Sequence, residues 1–149
     1  MKQKYAMYKT KVGYLQIGYL DERITSISKV INPSSSKDEP SALTDRAAKQ
    51  INEYLKGIRM FFDIPISYEG TPFQNKVWHE LLNIPYGETR TYQEIAVDIG
   101  NPKACRAVGM ACNKNPIAIA IPCHRVIGKN KKLTGYAGGL DMKRFLLKL

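Results

Sequence analysis

No long apolar run occurs anywhere in the 149 residues, so nothing matches the roughly 20 consecutive apolar residues that a membrane-spanning helix needs. The opening Met1-Lys2-Gln3-Lys4-Tyr5 has no apolar stretch behind its charges, and no secretory signal is expected; the expected place is the cytoplasm. Cysteine is scarce. The three that occur, Cys105, Cys112 and Cys123, are odd in number and confined to the last third, which argues against a disulfide framework and suits a reducing compartment. Metal-ligand spacing is missing as well: Cys105, Cys112, Cys123 and His124 form no CxxC or HxxxH pair, so neither a metal nor any other cofactor is expected. Acidic residues are few, 13 Asp and Glu against 23 Lys and Arg, for a net charge of +10. Residues 1–70 hold 11 basic against 8 acidic residues and residues 71–149 hold 12 against 5, so +7 of that charge lies in the second part. Such asymmetry points to a polyanion, most simply nucleic acid, with a merely soluble basic surface as the plainer alternative.

What is present centres on Ile121-Pro122-Cys123-His124-Arg125-Val126, where a thiol, an imidazole and a guanidinium follow one another. The apolar run Ile117–Ile121 before it reads as a buried strand, and Pro122 stiffens the exit from it. Cysteine is a strong nucleophile only as thiolate, and a neighbouring His or Arg is what activates it. A buried cysteine is more often a small hydrophobe, so the pair alone does not decide for catalysis.

Residues 3–31 alternate apolar and polar positions and predict three short antiparallel strands. The turn-forming stretch 32–40 predicts an exposed loop. From Ser41, the positions Leu43, Ala47, Ile51, Tyr54 and Leu55 predict a helix stopped at Gly57, and Phe61 to Ile66 a further strand. The boundary falls near Tyr68-Glu69-Gly70, giving domains 1–70 and 71–149. Thr71 then caps a helix with Pro72 at its first position and Phe73, Val77, Trp78, Leu81 and Leu82 as its apolar stripe, with His79 off the stripe at the surface. Thr91 and Glu94 form a capping box for a short helix ended by Gly100. Asn101 and Pro102 open the next helix, with Lys103 to Cys112 as its body.

Two short helices joined by a glycine-containing turn make a helix-turn-helix candidate. Lys103, Arg106 and Lys114 bring positive charge to the second helix, while Ala104, Ala107, Gly109 and Ala111 keep it smooth enough to lie in a groove; the same small residues also permit tight helix packing. Cys105 and Cys112, seven apart, read as packing residues. Gly128-Lys129-Asn130-Lys131-Lys132 is a basic turn like a wing, Leu133 to Gly139 is rich in glycine and alanine around Tyr136, and Asp141 to Leu149 predicts a final amphipathic helix.

Taken together these segments resemble the O6-alkylguanine-DNA alkyltransferases. The resemblance runs through Thr71-Pro72-Phe73, Ile84-Pro85-Tyr86-Gly87-Glu88, Thr91-Tyr92, Asn101-Pro102-Lys103, Arg106-Ala107-Val108-Gly109, Asn113-Lys114-Asn115-Pro116, Ile121 to Val126, and Gly135-Tyr136-Ala137-Gly138-Gly139-Leu140. It covers nearly all of residues 71–149 in order. It implies an α/β (α+β) fold, with a small ribonuclease-H-like N-terminal domain followed by a winged helix-turn-helix DNA-binding and catalytic domain. The implied activity is repair by stoichiometric transfer of an alkyl group from guanine O6, with thymine O4 as a further substrate, to Cys123 in a monomeric protein. The implied partner is double-stranded DNA containing O6-alkylguanine, associated with the nucleoid, with no membrane and no cofactor.

Residue by residue, the resemblance implies that His124 relays the thiol proton through a water and that Asn115 ties the recognition helix to the active-site turn. Arg106 enters the stack from the minor groove as the damaged nucleotide flips out, and Tyr92 turns the adjacent phosphate and offers its hydroxyl to guanine N3. Lys103, Ala104, Ala107, Lys114 and Arg125 complete the DNA contacts. Cys112, Val126, Tyr136 and Ala137 join Tyr92 in the substrate pocket, with the Ala137 N–H on O6 and the Cys123 and Val126 carbonyls on the guanine amino group. Ala118 and Gly135 are expected to leave room for larger alkyl groups. The family's histidine-orienting glutamate would follow Leu149, and no cysteine-rich regulatory segment is seen at the N-terminus, so repair without a regulatory switch is expected. Three alternatives stay open: a non-catalytic module that binds alkylated guanine and recruits other repair factors, a winged-helix transcription factor with a structural cysteine, and, last, a cysteine hydrolase.

Overall fold

Alternation along the first thirty residues produces a three-stranded antiparallel sheet, β1 (Lys4–Thr10), β2 (Gly13–Leu20) and β3 (Arg23–Val30), in that order. The computed structural model describes residues 2–31, 38–129, 136 and 138–149. Successive strand side chains point to opposite faces, so Leu15, Ile17 and Tyr19 share one face of β2 and are buried, as are Ala6, Ile24 and Ile27. The β2–β3 register shifts at Gly18/Tyr19, and a side chain on Gly18 would run into Ser26 Oγ, so glycine is what lets the bulged strands approach.

Helix α1 (Ala42–Leu55) packs on β1 and β3. Ser41 and Thr44 form its capping box, Ala47, Ile51, Tyr54 and Leu55 its buried face, and Gly57, at φ 78°, its end. Tyr8 Oη donates to Asp45 Oδ1 at 2.6 Å, fastening the helix to β1. The class is α+β, as expected.

Two expected strands do not form. Between Phe61 and Ile66 only Ile66 bridges, in parallel, to Ile24. Pro65 has no N–H to offer a ladder, and Phe61 faces solvent. In the run Ile117–Ile121 only Ile117 bridges, to Ile27. Ile119 then takes φ 73°, and a left-handed residue turns a chain that an extended one would continue. The turn stretch 32–37 and the wing residues 130–132 lie outside the described residues.

By contact the chain divides into two units, one from the residues up to Tyr68 with Pro116–Ala120, the other from Glu69–Asn115 with Ile121–Leu149. In the second unit, α2 (Pro72–Leu81), α3 (Tyr92–Asp98) and α4 (Cys105–Asn113) pack on one another. Thr71 with Gln74 and Thr91 with Glu94 are capping boxes. Helix α3 ends where Gly100 takes φ 80° and the Asn101 N–H reaches back to the Ala96 carbonyl at 2.9 Å, the left-handed glycine ending that the sequence predicts. Helix α4 starts later than expected. Ala104 N–H closes a turn on the Asn101 carbonyl at 3.0 Å, so Pro102 and Lys103 lie in that turn, and Ala104 is the N-cap without any side-chain cap. Val77, Trp78, Leu81, Ile95, Ala96, Val108 and Ala111 fill the core, and His79 is exposed as expected. A short parallel pair, β4 (Arg90–Thr91) with β5 (Val126–Ile127), and α5 (Leu140–Leu147) complete this unit.

The Trp78 indole Nε1 donates to the Ala111 carbonyl at 2.8 Å, joining α2 to α4 in the core. Trp78→Phe is expected to lower unfolding free energy by ~1 kcal/mol, because it removes a buried hydrogen bond and leaves the Ala111 carbonyl with only the Lys114 N–H, at 3.1 Å, as donor; urea denaturation at matched slope measures it.

Candidate active site and nucleic-acid face

Cys123 opens a single 310 turn, Cys123–Arg125, that leads directly into β5. The turn is anchored from both directions. Ahead of it, Asn115 Nδ2 donates to the Ile121 carbonyl at 2.9 Å, and the Cys123 N–H to the same Ile121 carbonyl at 2.8 Å. Behind it, Lys143 Nζ on α5 donates to the Val126 carbonyl at 2.6 Å. Arg125 Nη1 donates to the Ile84 carbonyl at 2.7 Å, and its guanidinium lies 5.8 Å from the centre of the Tyr86 ring. Tyr86 Oη in turn donates to the Leu149 carbonyl at 2.7 Å.

Burial dominates the electrostatics. Cys123 is 5% exposed and His124 1%. Loss of water pushes the Cys123 thiol up to about 11, opposed by a hydrogen bond from the Asn115 side chain and by the charge of Lys143. The same burial, with Arg125 and Lys143 nearby, pushes His124 down to about 3, so its imidazole is neutral at pH 7 and able to accept a proton. Cys112 is pushed up to about 12, by burial first and then by Cys123.

Lys143 is the residue that sequence reasoning missed. It is fully buried, its Nζ lies 5.8 Å from the centre of the Tyr92 ring, and its pKa is lowered by burial while Cys123 and Cys112 pull it back up. The signal was there: Lys143 precedes Leu146 by one helical turn, which puts it on the buried stripe of α5 with Met142. A lysine on an apolar stripe is a charge with a purpose. Here its ammonium form would lower the cost of a negative charge on Cys123.

The other residues of interest separate into two groups. Tyr92 opens α3 and is half-buried, Cys112 and Val126 are buried, and Tyr136 is 9% exposed; Ala137 and Gly135 lie outside the described residues. The Val126 carbonyl, expected to face a guanine amino group, already accepts from Lys143, which leaves it one further lone pair. Ala118 belongs with the first unit, where its N–H donates to the Ile27 carbonyl at 3.0 Å. On the outer face, Lys103, Arg106, Ala107 and Lys114 are exposed and Ala104 is half-buried at the helix N-cap. Arg125, expected as a DNA contact, is half-buried with its guanidinium turned to the Ile84 carbonyl and the Tyr86 ring; that geometry makes it a strut for the turn.

Residues 72–149 match the family model of the 6-O-methylguanine DNA methyltransferase DNA-binding domain. A methylated-DNA–protein-cysteine methyltransferase of Methanosarcina acetivorans is 49% identical over 97% of this chain and 96% of its own. The chain belongs to the O6-methylguanine DNA methyltransferase family. The constitutive methylated-DNA–protein-cysteine methyltransferase of Bacillus subtilis is 43% identical over 97% of this chain and 93% of its own. Among solved structures, Mycobacterium tuberculosis OGT in complex with DNA superposes with a TM-score of 0.89 at 44% identity, covering 98% of this chain and 91% of that one. No helix among the described residues is long and apolar enough to cross a membrane.

Two outcomes follow from the buried charges. Because the folded pKa of His124 lies below its unfolded value, the unfolded chain binds the extra proton, and stability falls as pH drops through 6.5 towards 3. Urea unfolding between about pH 6.5 and about pH 5, above the ordinary carboxylate range, is expected to lose up to ~1.4 kcal/mol per pH unit, a slope that His124→Asn should flatten. Lys143→Met keeps the apolar packing and removes the charge. The Cys123 thiol should then titrate higher and react about tenfold more slowly with a small thiol reagent, as followed by intact mass against pH; an unchanged pH profile would remove Lys143 from the chemistry.

Proposed function

We propose that this chain repairs DNA by taking an alkyl group from guanine O6 onto Cys123, once per molecule. The observation that carries the reading is the buried Cys123-His124 turn, held by Asn115 and faced by Lys143, within a family member whose exposed α4 is basic. In this reading Cys123 is the acceptor and His124, neutral at working pH, takes the thiol proton. The thiolate sulfur attacks the alkyl carbon; the S–C bond forms as the C–O6 bond breaks, and the electron pair leaves with guanine. A proton from the Tyr92 hydroxyl to guanine N3 neutralises the leaving base, and the phenolate regains a proton from solvent as the His124 imidazolium releases the one it took from the thiol. The positive charge of Lys143 stabilises sulfur before transfer, and the thioether that remains has no hydrolytic exit, so the protein is spent.

The target carbon lies inside the duplex stack, which requires the nucleotide to be flipped out. Arg106, exposed near the start of α4, is suited to fill the vacated space, being planar and able to stack. Lys103 and Lys114 supply phosphate contacts with Ala104 and Ala107 between them, and Arg125 acts within the protein. Cys112, Val126 and Tyr136 form the pocket with Tyr92. Thymine O4 lesions are a second substrate, and the protein acts as a monomer in the cytoplasm on nucleoid DNA.

The test is the intact mass after incubation with a duplex carrying one O6-methylguanine. Gain of one methyl in place of one hydrogen on Cys123, none in Cys123→Ala, and no turnover with excess DNA are expected. Tight binding to the lesion with no mass change would overturn the transfer reading in favour of a non-catalytic binding module.

A further inference from the structure

The exposed face of α4 has a large apolar side chain at its centre. At about 100° per residue, Arg106, Ala107, Met110, Asn113 and Lys114 fall within an arc of about 120°, with Met110 in the middle. All five are exposed, whereas Val108, Ala111 and Cys112 on the opposite side are buried. Gly109, at the edge of the arc, faces the Tyr92 ring, to which an added Cβ would come within 3.8 Å. Met110 is 67% exposed, and so contributes little to the core of its own unit. Ala107 beside it is low. Arg106 one turn before it and Lys114 one turn after it are cations, so the methionine stands proud of a surface whose charge suits a phosphate backbone.

We infer that Met110 is an apolar wedge of this chain, which seats against the sugar and base edges of the DNA minor groove between Arg106, which fills the stack, and the phosphate contact of Lys114. The inference rests on the proposed function for the identity of the partner, duplex DNA, and adds a residue to it. Minor-groove proteins combine cationic side chains with unbranched or bulky apolar ones that pack between base steps and open them. Methionine is well fitted to that use, because its flexible thioether adapts to an irregular surface. Arg106 occupies the space left by the flipped base; Met110, one turn on, holds the neighbouring step open and adds affinity that does not depend on charge.

Salt dependence separates the contributions. An apolar contact releases no counterion, whereas each phosphate contact adds about 0.9 to the slope of log K against log salt. Met110→Ala is expected to weaken binding to an undamaged duplex about tenfold, ~1.4 kcal/mol, with its salt slope unchanged and its unfolding midpoint unmoved. Met110→Leu should restore most of the affinity, and Lys114→Ala should lower the slope by about one contact. Unchanged affinity in Met110→Ala, or a loss accompanied by a lower slope, would overturn the inference. Methyl transfer to Cys123 is scored separately by mass. A wild-type protein that binds duplex without transfer refutes the proposed chemistry and leaves the wedge to be judged by binding; one that binds no duplex refutes both.

Discussion

The hydrogen bond from Asn115 Nδ2 to the Ile121 carbonyl is the constraint on which the site depends. Between those two residues the chain leaves the second unit for Pro116–Ala120, which pair and pack with the first. Asn115 and Ile121 are therefore the points of exit and return. Joining them through an amide closes the excursion and fixes where Cys123 begins its turn. The same side chain also hydrogen-bonds the Cys123 thiol and lowers its pKa. A residue that bonds both the backbone and the reactive sulfur links the end of α4 to the chemistry: a shift of the helix against its surroundings would be felt at the thiol.

Charge in the site is arranged around a neutral resting state. The imidazole is held neutral and the thiol protonated by burial, while Lys143, fully buried, is fixed by the Val126 carbonyl. Separated charges are costly in such a place. The ammonium lowers the cost of a negative sulfur, whereas burial, Arg125 and Lys143 oppose a proton on the imidazole, so the site rests neutral and the thiolate forms only in passing. The strut from Arg125 to Ile84 and Tyr86, and on to Leu149, gives the turn a rigid backing against which that change can occur.

Much of the fold was legible because it follows local rules. Alternation marked β1 to β3, the Ser41, Thr71 and Thr91 caps marked three helix starts, and Gly57 and Gly100 marked two ends. The failures have equally specific causes. Ile117–Ile121 is apolar enough for a strand, but the left-handed Ile119 is a tertiary outcome with no local signature. Asn101-Pro102 looks like a helix start, yet the Asn101 carbonyl is used by a turn. The site was legible in Cys123, His124 and Asn115, whose spacing carries a resemblance. Lys143 was missed and the direction of Arg125 was not legible, because charge alone says nothing of direction: one guanidinium turned inward to a carbonyl, and one ammonium lay on the buried stripe of α5.

The depth of Cys123 has a further consequence if, as proposed, the protein is consumed by its own reaction. At pH 7, a thiol held near 11 exposes only about one thiolate in 10⁴ molecules, and its surface is almost entirely covered. Peroxide, disulfides and stray alkylating agents attack accessible thiolates, and each such encounter would remove one molecule from service with no lesion repaired. The burial that slows the thiol in general therefore also preserves it, keeping the pool of unreacted protein for the flipped-out lesions of the proposed reaction.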